Sequence, residues 1–250
     1  MSTAPRLSVL VPAFNEEIYL ADTVRGALAC LDASGQTFEL IVIDDGSNDQ
    51  TPAVIRTLSE EDRRIRVVTH ATNRGLGASY FSGVSVARGE YVTWIPGDDA
   101  IPSQALAVLV AEIGRADVVV GYPRFAVPRP FVRRLLSGAY TALMNRVFGL
   151  RLRYFNCVTV VRRQLLEPMA ASAHSGFGVF AEILVRLAYA GHSLVEVGIE
   201  SQNRQLAKSK AFRWRNVASV IRNVVWLWWD LRVRRHPVVG HAPVSAGIDR

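Results

Sequence analysis

Short apolar runs that end in polar loops alternate with amphipathic stretches from Leu7 to about Val120. Leu7 to Val11 runs into Pro12-Ala13-Phe14-Asn15-Glu16-Glu17, and Phe38 to Ile43 into Asp44-Asp45-Gly46-Ser47. Ile65 to Val68 precedes Asn73-Arg74-Gly75-Leu76-Gly77, and Tyr91 to Ile95 runs into Pro96-Gly97-Asp98-Asp99. Each run reads as a buried strand. The intervening periodicity predicts helices over Glu16–Leu31, from Asp49-Gln50-Thr51-Pro52 onward, over Gly75–Ala87 and over Ser103–Ile113. Glu16 and Glu17 suit a helix N-terminus, Asp49 and Ser103 suit caps, and Pro52 is tolerated in a first turn. A short strand is expected at Val118–Val120. Strands alternating with helices predict an α/β fold, Rossmann-like, with a mostly parallel central sheet flanked by helices.

The pattern changes after Gly121. Pro123, Pro128 and Pro130 mark an irregular loop, and Phe131–Phe148 reads as an amphipathic basic helix. A strand over Asn156–Val161, a short helix over Arg163–Met169, a helix over Phe180–Ala190 ended by Gly191, and an edge strand over Leu194–Ile199 follow. Ser201–Lys210 is a polar loop, Ala211–Arg235 a long amphipathic helix rich in Trp and Arg, and His236–Arg250 a flexible tail. The expected division is therefore a main domain over 1–210, a docking helix over 211–235 and a tail over 236–250.

Length and charge narrow the function. A chain of 250 residues, 50% hydrophobic, has room for one large α/β domain with a substantial core. The two cysteines, Cys30 and Cys157, fit neither a disulfide framework nor a zinc site and suggest a reducing compartment. Leu7 to Val11 is too short for a signal sequence, and no window reaches the roughly 20 apolar residues of a spanning helix. The formal net charge of +7 is concentrated in the second half, in Arg124, Arg133, Arg134 and the arginines that follow, while acids crowd the first hundred residues. A basic half over an acidic rim suggests phosphates, an acidic membrane surface or nucleic acid as partner. Trp226-Leu227-Trp228-Trp229, set among arginines, suits a membrane interface; packing on the domain or on a second subunit suits it equally. No nucleic-acid module is recognisable.

The acid-bearing loops carry the candidate chemistry. Asp44-Asp45-Gly46-Ser47 has turn-forming residues, but adjacent carboxylates repel each other and a plain turn needs only one. Asp98-Asp99 at a strand end can hold Mg2+ or Mn2+ that also touches a diphosphate, although a simple turn before Pro102 is the plainer alternative. Asn73-Arg74-Gly75-Leu76-Gly77 either offers backbone amides to an anion or packs closely as a glycine turn; its spacing is neither a P-loop nor a dinucleotide fingerprint. His70, His174, His192, His236 and His241 do not cluster, and no Ser/His/Asp arrangement is visible.

Taken together, these motifs resemble the family 2 glycosyltransferases of GT-A fold, nearest to the dolichyl- and polyprenyl-phosphate sugar transferases. Ser8 to Glu17, Val42 to Ser47, Asn73 to Gly77 and Gly97 to Asp99 fall in that family's order. So do Gly121 to Arg124, Arg133 to Ser137, Phe177 to Glu182, Glu196 to Ile199 and Arg204 to Lys210, so the resemblance spans about residues 7 to 215. It implies that Pro12, Ala13, Phe14, Glu16, Asp44, Asp45, Gly46, Arg74 and Gly75 surround the nucleotide sugar. Arg204 and Lys210 would close on the diphosphate. Asp98, with Asp99 beside it, would hold Mg2+ or Mn2+; Asp98, Asp99 and Glu182 are the candidate catalytic residues. Arg124, Arg133 and Ser137 match positions that meet an acceptor phosphate. Where the family's acidic pair begins, this chain has Pro96, and Ala207 stands where a glycine is common.

The implied reaction is inverting transfer of a sugar from a UDP- or GDP-sugar to a dolichyl or undecaprenyl phosphate. It would take place on the cytoplasmic face of a membrane, with the Trp/Arg helix on the bilayer or a membrane partner and no nucleic acid involved. An ionised phosphate acceptor needs positioning rather than deprotonation, and arginines suit it. A saccharide or protein hydroxyl acceptor would need a general base, for which Glu182 or Asp99 is available. A non-catalytic sugar-nucleotide-binding scaffold is the reading Pro96 motivates.

Overall fold

The computed structural model describes residues 4–125, 131–169, 178–201 and 224–234. In chain order the elements are β1 Leu7–Ala13, α1 Leu20–Ser34, β2 Phe38–Asp44, α2 Thr51–Glu61, β3 Ile65–Thr69, α3 Leu76–Val86, β4 Tyr91–Trp94 and α4 Ser103–Ala111. There follow β5 Val118–Phe125, α5 Phe131–Phe148, β6 Thr159–Arg162, α6 Arg163–Leu166, α7 Val179–Tyr189 and β7 Leu194–Ser201. A last helix over residues 224–229 passes into a π-helical turn, Asp230–Arg234. The loop at 202–210, Pro128 and Pro130, the first part of the Trp/Arg helix, the tail and the boundary at 210 lie outside the described residues.

The seven strands form one sheet in the order β3-β2-β1-β4-β6-β5-β7. β1 pairs in parallel with β2 and β4, and β2 with β3; β6 is antiparallel to both β4 and β5, and β7 is parallel to β5. Every strand but β6 therefore points its carboxyl end to the same edge, the edge at which open α/β sheets bind ligands. The near-continuous apolar runs of β1 and β2 are buried throughout, as strands covered by helices on both faces must be. Leu20, Val24, Ala27 and Leu31 form the buried stripe of α1. A second apolar cluster joins Met144 and Phe148 of α5, Phe155, Ala181 and Val185 of α7, and Val224 and Leu227.

The boundaries depart from the sequence pattern for identifiable reasons. α1 starts at Leu20 rather than Glu16; the preceding Glu16 and Glu17 N–H groups are bonded to Thr51 Oγ1 and Asp49 Oδ2. Ser103 is the first helical residue of α4 and not its cap; Pro102 precedes it. β5 runs past Val120 to Phe125 because β7 pairs with it along its whole length. Gly121 sits where a Cβ would stand 2.8 Å from the Val158 carbonyl oxygen, so only glycine allows β5 and the β6 approach to meet there.

Candidate active site

β2, β1 and β4 are neighbours in the sheet, and their exits carry Asp44-Asp45, Phe14 to Glu17 and Gly97 to Asp99 to one rim. The first two loops are laced together. Asp45 N–H donates to the Ala13 carbonyl (2.9 Å), Asn15 N–H to Ser47 Oγ (3.1 Å), Asn48 N–H to Asn15 Oδ1 (2.9 Å) and Gln50 N–H to Glu17 Oε2 (2.8 Å). Asn15 takes a left-handed φ of 58°, which asparagine tolerates. The β4 exit rests on the same platform: Gly97 N–H donates to the Pro12 carbonyl, and Thr23 Oγ1 donates to the Gly97 carbonyl, both at 3.3 Å. A Cβ at position 97 would lie 3.0 Å from the Pro12 oxygen, so this close crossing favours glycine. Pro12 and Ala13 are thus buried framework, while the Phe14 ring is partly exposed at the rim.

Carboxylates converge beside that crossing. Asp98 is exposed and its Oδ1 accepts the Ala100 N–H, and Asp99 has a φ of 53°. Burial, then the charges of Asp98 and Asp49, raise the Glu16 carboxyl from an ordinary 4.5 to about 7. Like charges held this close are relieved by a cation. Among the described residues, no three His, Cys, Asp or Glu side chains are arranged to hold a metal by themselves. The carboxylate oxygens at this rim have the chemistry of a Mg2+ or Mn2+ site that would take the rest of its oxygen shell from a diphosphate, and they do not form a closed protein cage.

Asp44 and Asp45 do different work. Buried Asp44 closes its own turn, its Oδ1 accepting the Ser47 N–H at 3.0 Å. Buried Asp45 Oδ1 lies 2.7 Å from His70 Nδ1 and accepts the Arg74 N–H at 2.9 Å, while Oδ2 accepts the Gly75 N–H at 2.8 Å. Burial pushes the Asp45 carboxyl up, but the bonds from His70, Arg74 and Gly75 outweigh it and hold the group below the usual carboxylate range. The amides of Arg74 and Gly75 are therefore taken by Asp45, which favours the packed glycine turn over a loop that offers those two amides to an anion. The Arg74 side chain remains exposed. Gly46 has a φ of 75°, and a Cβ there would stand 2.6 Å from the Thr72 carbonyl carbon.

His70, which the sequence marks only as a histidine outside any cluster, is a buried core residue with Nε2 2.9 Å from Ser82 Oγ. Asp45, His70 and Ser82 form a line of contacts contributed by β2's exit, β3's exit and α3. Their sequence separation hides it, and only the Asp45 end carries a motif.

The remaining candidates are spread more widely. Arg124 is exposed near the end of β5, at the same edge as Asp98, and Arg133 and half-exposed Ser137 lie on α5. Phe180 of α7 stacks on Trp94 at the end of β4, with ring centroids 4.2 Å apart. Two residues on, Glu182 is buried, its Oε1 accepting Arg186 Nε at 2.9 Å, while Arg186 Nη2 donates to Asp230 Oδ2 at 2.8 Å. The Arg186–Asp230 contact was not foreseen; the signals for it are the i,i+4 spacing of Glu182 and Arg186 and a lone acid within the Trp/Arg run. Arg204 and Lys210 lie outside the described residues.

A mostly parallel sheet with this acidic rim is the GT-A arrangement. Glucosyl-3-phosphoglycerate synthase from Mycobacterium tuberculosis, solved with uridine diphosphate, superposes over 90% of this chain and 79% of its own, with a TM-score of 0.66 at 20% identity. The sequence profile of glycosyl transferase family 2 matches residues 8–169, and the chain belongs to that family. An uncharacterized glycosyltransferase of Haemophilus influenzae is 37% identical over 102 residues, 41% of this chain and 40% of its own length. The glycosyltransferase AglD of Haloferax volcanii is 27% identical across 97% of this chain, which spans 40% of that relative. An undecaprenyl-phosphate 4-deoxy-4-formamido-L-arabinose transferase of Shewanella sediminis is 24% identical over 97% of this chain and 72% of its own.

Proposed function

We propose that the chain is the catalytic unit of a glycosyltransferase that moves a sugar, with inversion, from a UDP- or GDP-sugar to a polyprenyl phosphate. The convergence of Asp98 and Glu16 at the joined exits of β1, β2 and β4 carries the reading. The name of the Shewanella relative, a transferase to undecaprenyl phosphate, supports the acceptor class.

The exits of β1 and β2 would receive the nucleoside, with Phe14 at the rim, Asp44 and Asp45 holding the loops, and Asp98 toward the diphosphate. A bound Mg2+ or Mn2+ would neutralise charge on the departing nucleoside diphosphate. Arg204 and Lys210 are proposed to reach the same diphosphate. Arg124, Arg133 and Ser137 would orient the acceptor phosphate, which is already ionised and needs no base. Glu182 bears on the choice of acceptor: it is buried and its Oε1 is engaged by Arg186 Nε, a structural tie that supports a phosphate over a hydroxyl that needs a base.

The surface suits a lipid acceptor. Among the described residues no helix is long and apolar enough to cross a membrane. Val225, Trp228, Trp229 and Val233 are exposed on one helix, and Phe131, Val132, Leu135 and Leu136 on α5 beside exposed Arg133 and Arg134. Aromatic and aliphatic side chains flanked by arginines match an anionic membrane surface, here the cytoplasmic face.

A thermal-shift panel of UDP, GDP, CDP and dTDP, each with and without Mn2+, tests the donor site. Metal-dependent stabilisation by UDP or GDP is expected; no shift with any nucleotide on folded protein would overturn the reading.

A further inference from the structure

We infer that His70 is a positioning residue for the donor site: it fixes Asp45, and through Asp45 the Arg74-Gly75 loop that forms one wall of the nucleotide cleft. The inference rests on the proposed nucleotide reading for its functional half, and on geometry alone for its structural half.

Asp45 joins three segments. Its own N–H is bonded to the Ala13 carbonyl of the β1 exit, and its two oxygens receive the Arg74 and Gly75 amides of the loop entering α3. The oxygen that takes the Arg74 amide, Oδ1, also meets His70 Nδ1 at 2.7 Å, so the ring buttresses the carboxylate on the loop side. His70 is itself anchored on both sides. Its N–H donates to the Asp44 carbonyl at 2.8 Å, and its Nε2 meets Ser82 Oγ in the body of α3.

Facing a carboxylate, Nδ1 is the ring nitrogen that donates to Asp45, and Nε2 pairs with the Ser82 hydroxyl on the other side. Ser82 lies in the interior of α3, not at a strand-to-helix elbow, and its hydroxyl is engaged by the ring. The line Asp45–His70–Ser82 thus acts as a brace rather than as an activated nucleophile. The bond from Nδ1 is the one that matters to the loop; the bond to Ser82 holds the ring upright.

This division is testable with three substitutions. His70→Asn keeps an N–H donor near the Nδ1 position. His70→Gln places its amide near Nε2, and His70→Ala removes both. Hydrogen exchange at the Arg74 and Gly75 amides reads the structural half without any ligand, and the dissociation constant for UDP or GDP with Mn2+ reads the functional half.

The expected result is faster exchange at both amides and nucleotide affinity weakened about tenfold in the Ala and Gln variants, as loss of a hydrogen bond to a buried charged group implies. The Asn variant should stay within about threefold of the parent. Unchanged exchange at Arg74 and Gly75 in folded His70→Ala or His70→Gln would overturn the inference. So would equal losses in Asn and Gln, since a simple spacer does not distinguish them. Faster exchange in the Ala and Gln variants, with a parent that binds no nucleotide, would leave the brace standing and remove the donor reading instead.

Discussion

Asp98 and Glu16 leave two different strand exits and face each other across the rim, where burial first, and then the charges of Asp98 and Asp49, hold the Glu16 carboxyl at about 7. An acid whose folded pKa lies above its unfolded value makes the folded state bind an extra proton between the two. Stability from this site is therefore greatest below about 4.5 and falls as pH rises toward about 7. Without divalent cation, Glu16→Gln should melt higher than the parent at pH 8, with the gap closing by pH 5. Thermal melts across that range check the sign; a gap that widens toward acid would refute it.

Asp98 is the side chain expected to matter most for turnover. Asp98→Asn keeps the acceptor that bonds the Ala100 N–H, so the fold should survive. Turnover should fall on the order of a hundredfold or more, as loss of a preorganised charge-stabilising group does. Unchanged turnover would remove Asp98 from the cation site.

Asp99 is held at a φ of 53°, a region that β-branched residues reach only with strain. Asp99→Val should destabilise by about 1–3 kcal/mol in urea melts, and Asp99→Asn by much less. Equal costs for the two would show that the backbone there relaxes freely.

Arg186 bridges two buried carboxylates, Glu182 and Asp230, and so ties the 224–234 segment to α7. Arg186→Met leaves both acids buried without that cation and should cost about 3–5 kcal/mol. Adding Glu182→Gln and Asp230→Asn should recover part of the loss, because the stranded charges go with them. Equilibrium unfolding of the single and triple variants measures the difference.

Trp228 and Trp229 project from the helix face opposite Leu227 and Asp230, 40% and 51% exposed. Replacing both with Ala should leave the melting temperature nearly unchanged while weakening binding to vesicles containing anionic lipid. A large stability loss with vesicle binding intact would assign these rings to packing.

Much of this layout was legible in the chain. Apolar runs such as Leu7 to Val11 and Phe38 to Ile43 are buried on both faces, so composition alone marks them as parallel strands, and their exits carry the acids. Long-range pairing was not legible. Glu16 and Glu17 are tied to residues after β2 in the turn before α1, and β5 is prolonged by a strand that comes much later in the chain. The same holds for the site. Asp45 was visible as a motif, but its partner His70 looked like any other histidine because the contact is made by the fold.

Sugar transfer itself is the decisive measurement. Labelled UDP- and GDP-sugars would be incubated with the protein, Mn2+ and vesicles carrying undecaprenyl phosphate, and label entering the organic phase would be counted. Label should appear in the lipid fraction, require Mn2+ and vanish in Asp98→Asn. Label that stays aqueous with every donor, or moves instead to a saccharide hydroxyl, would contradict transfer to a polyprenyl phosphate.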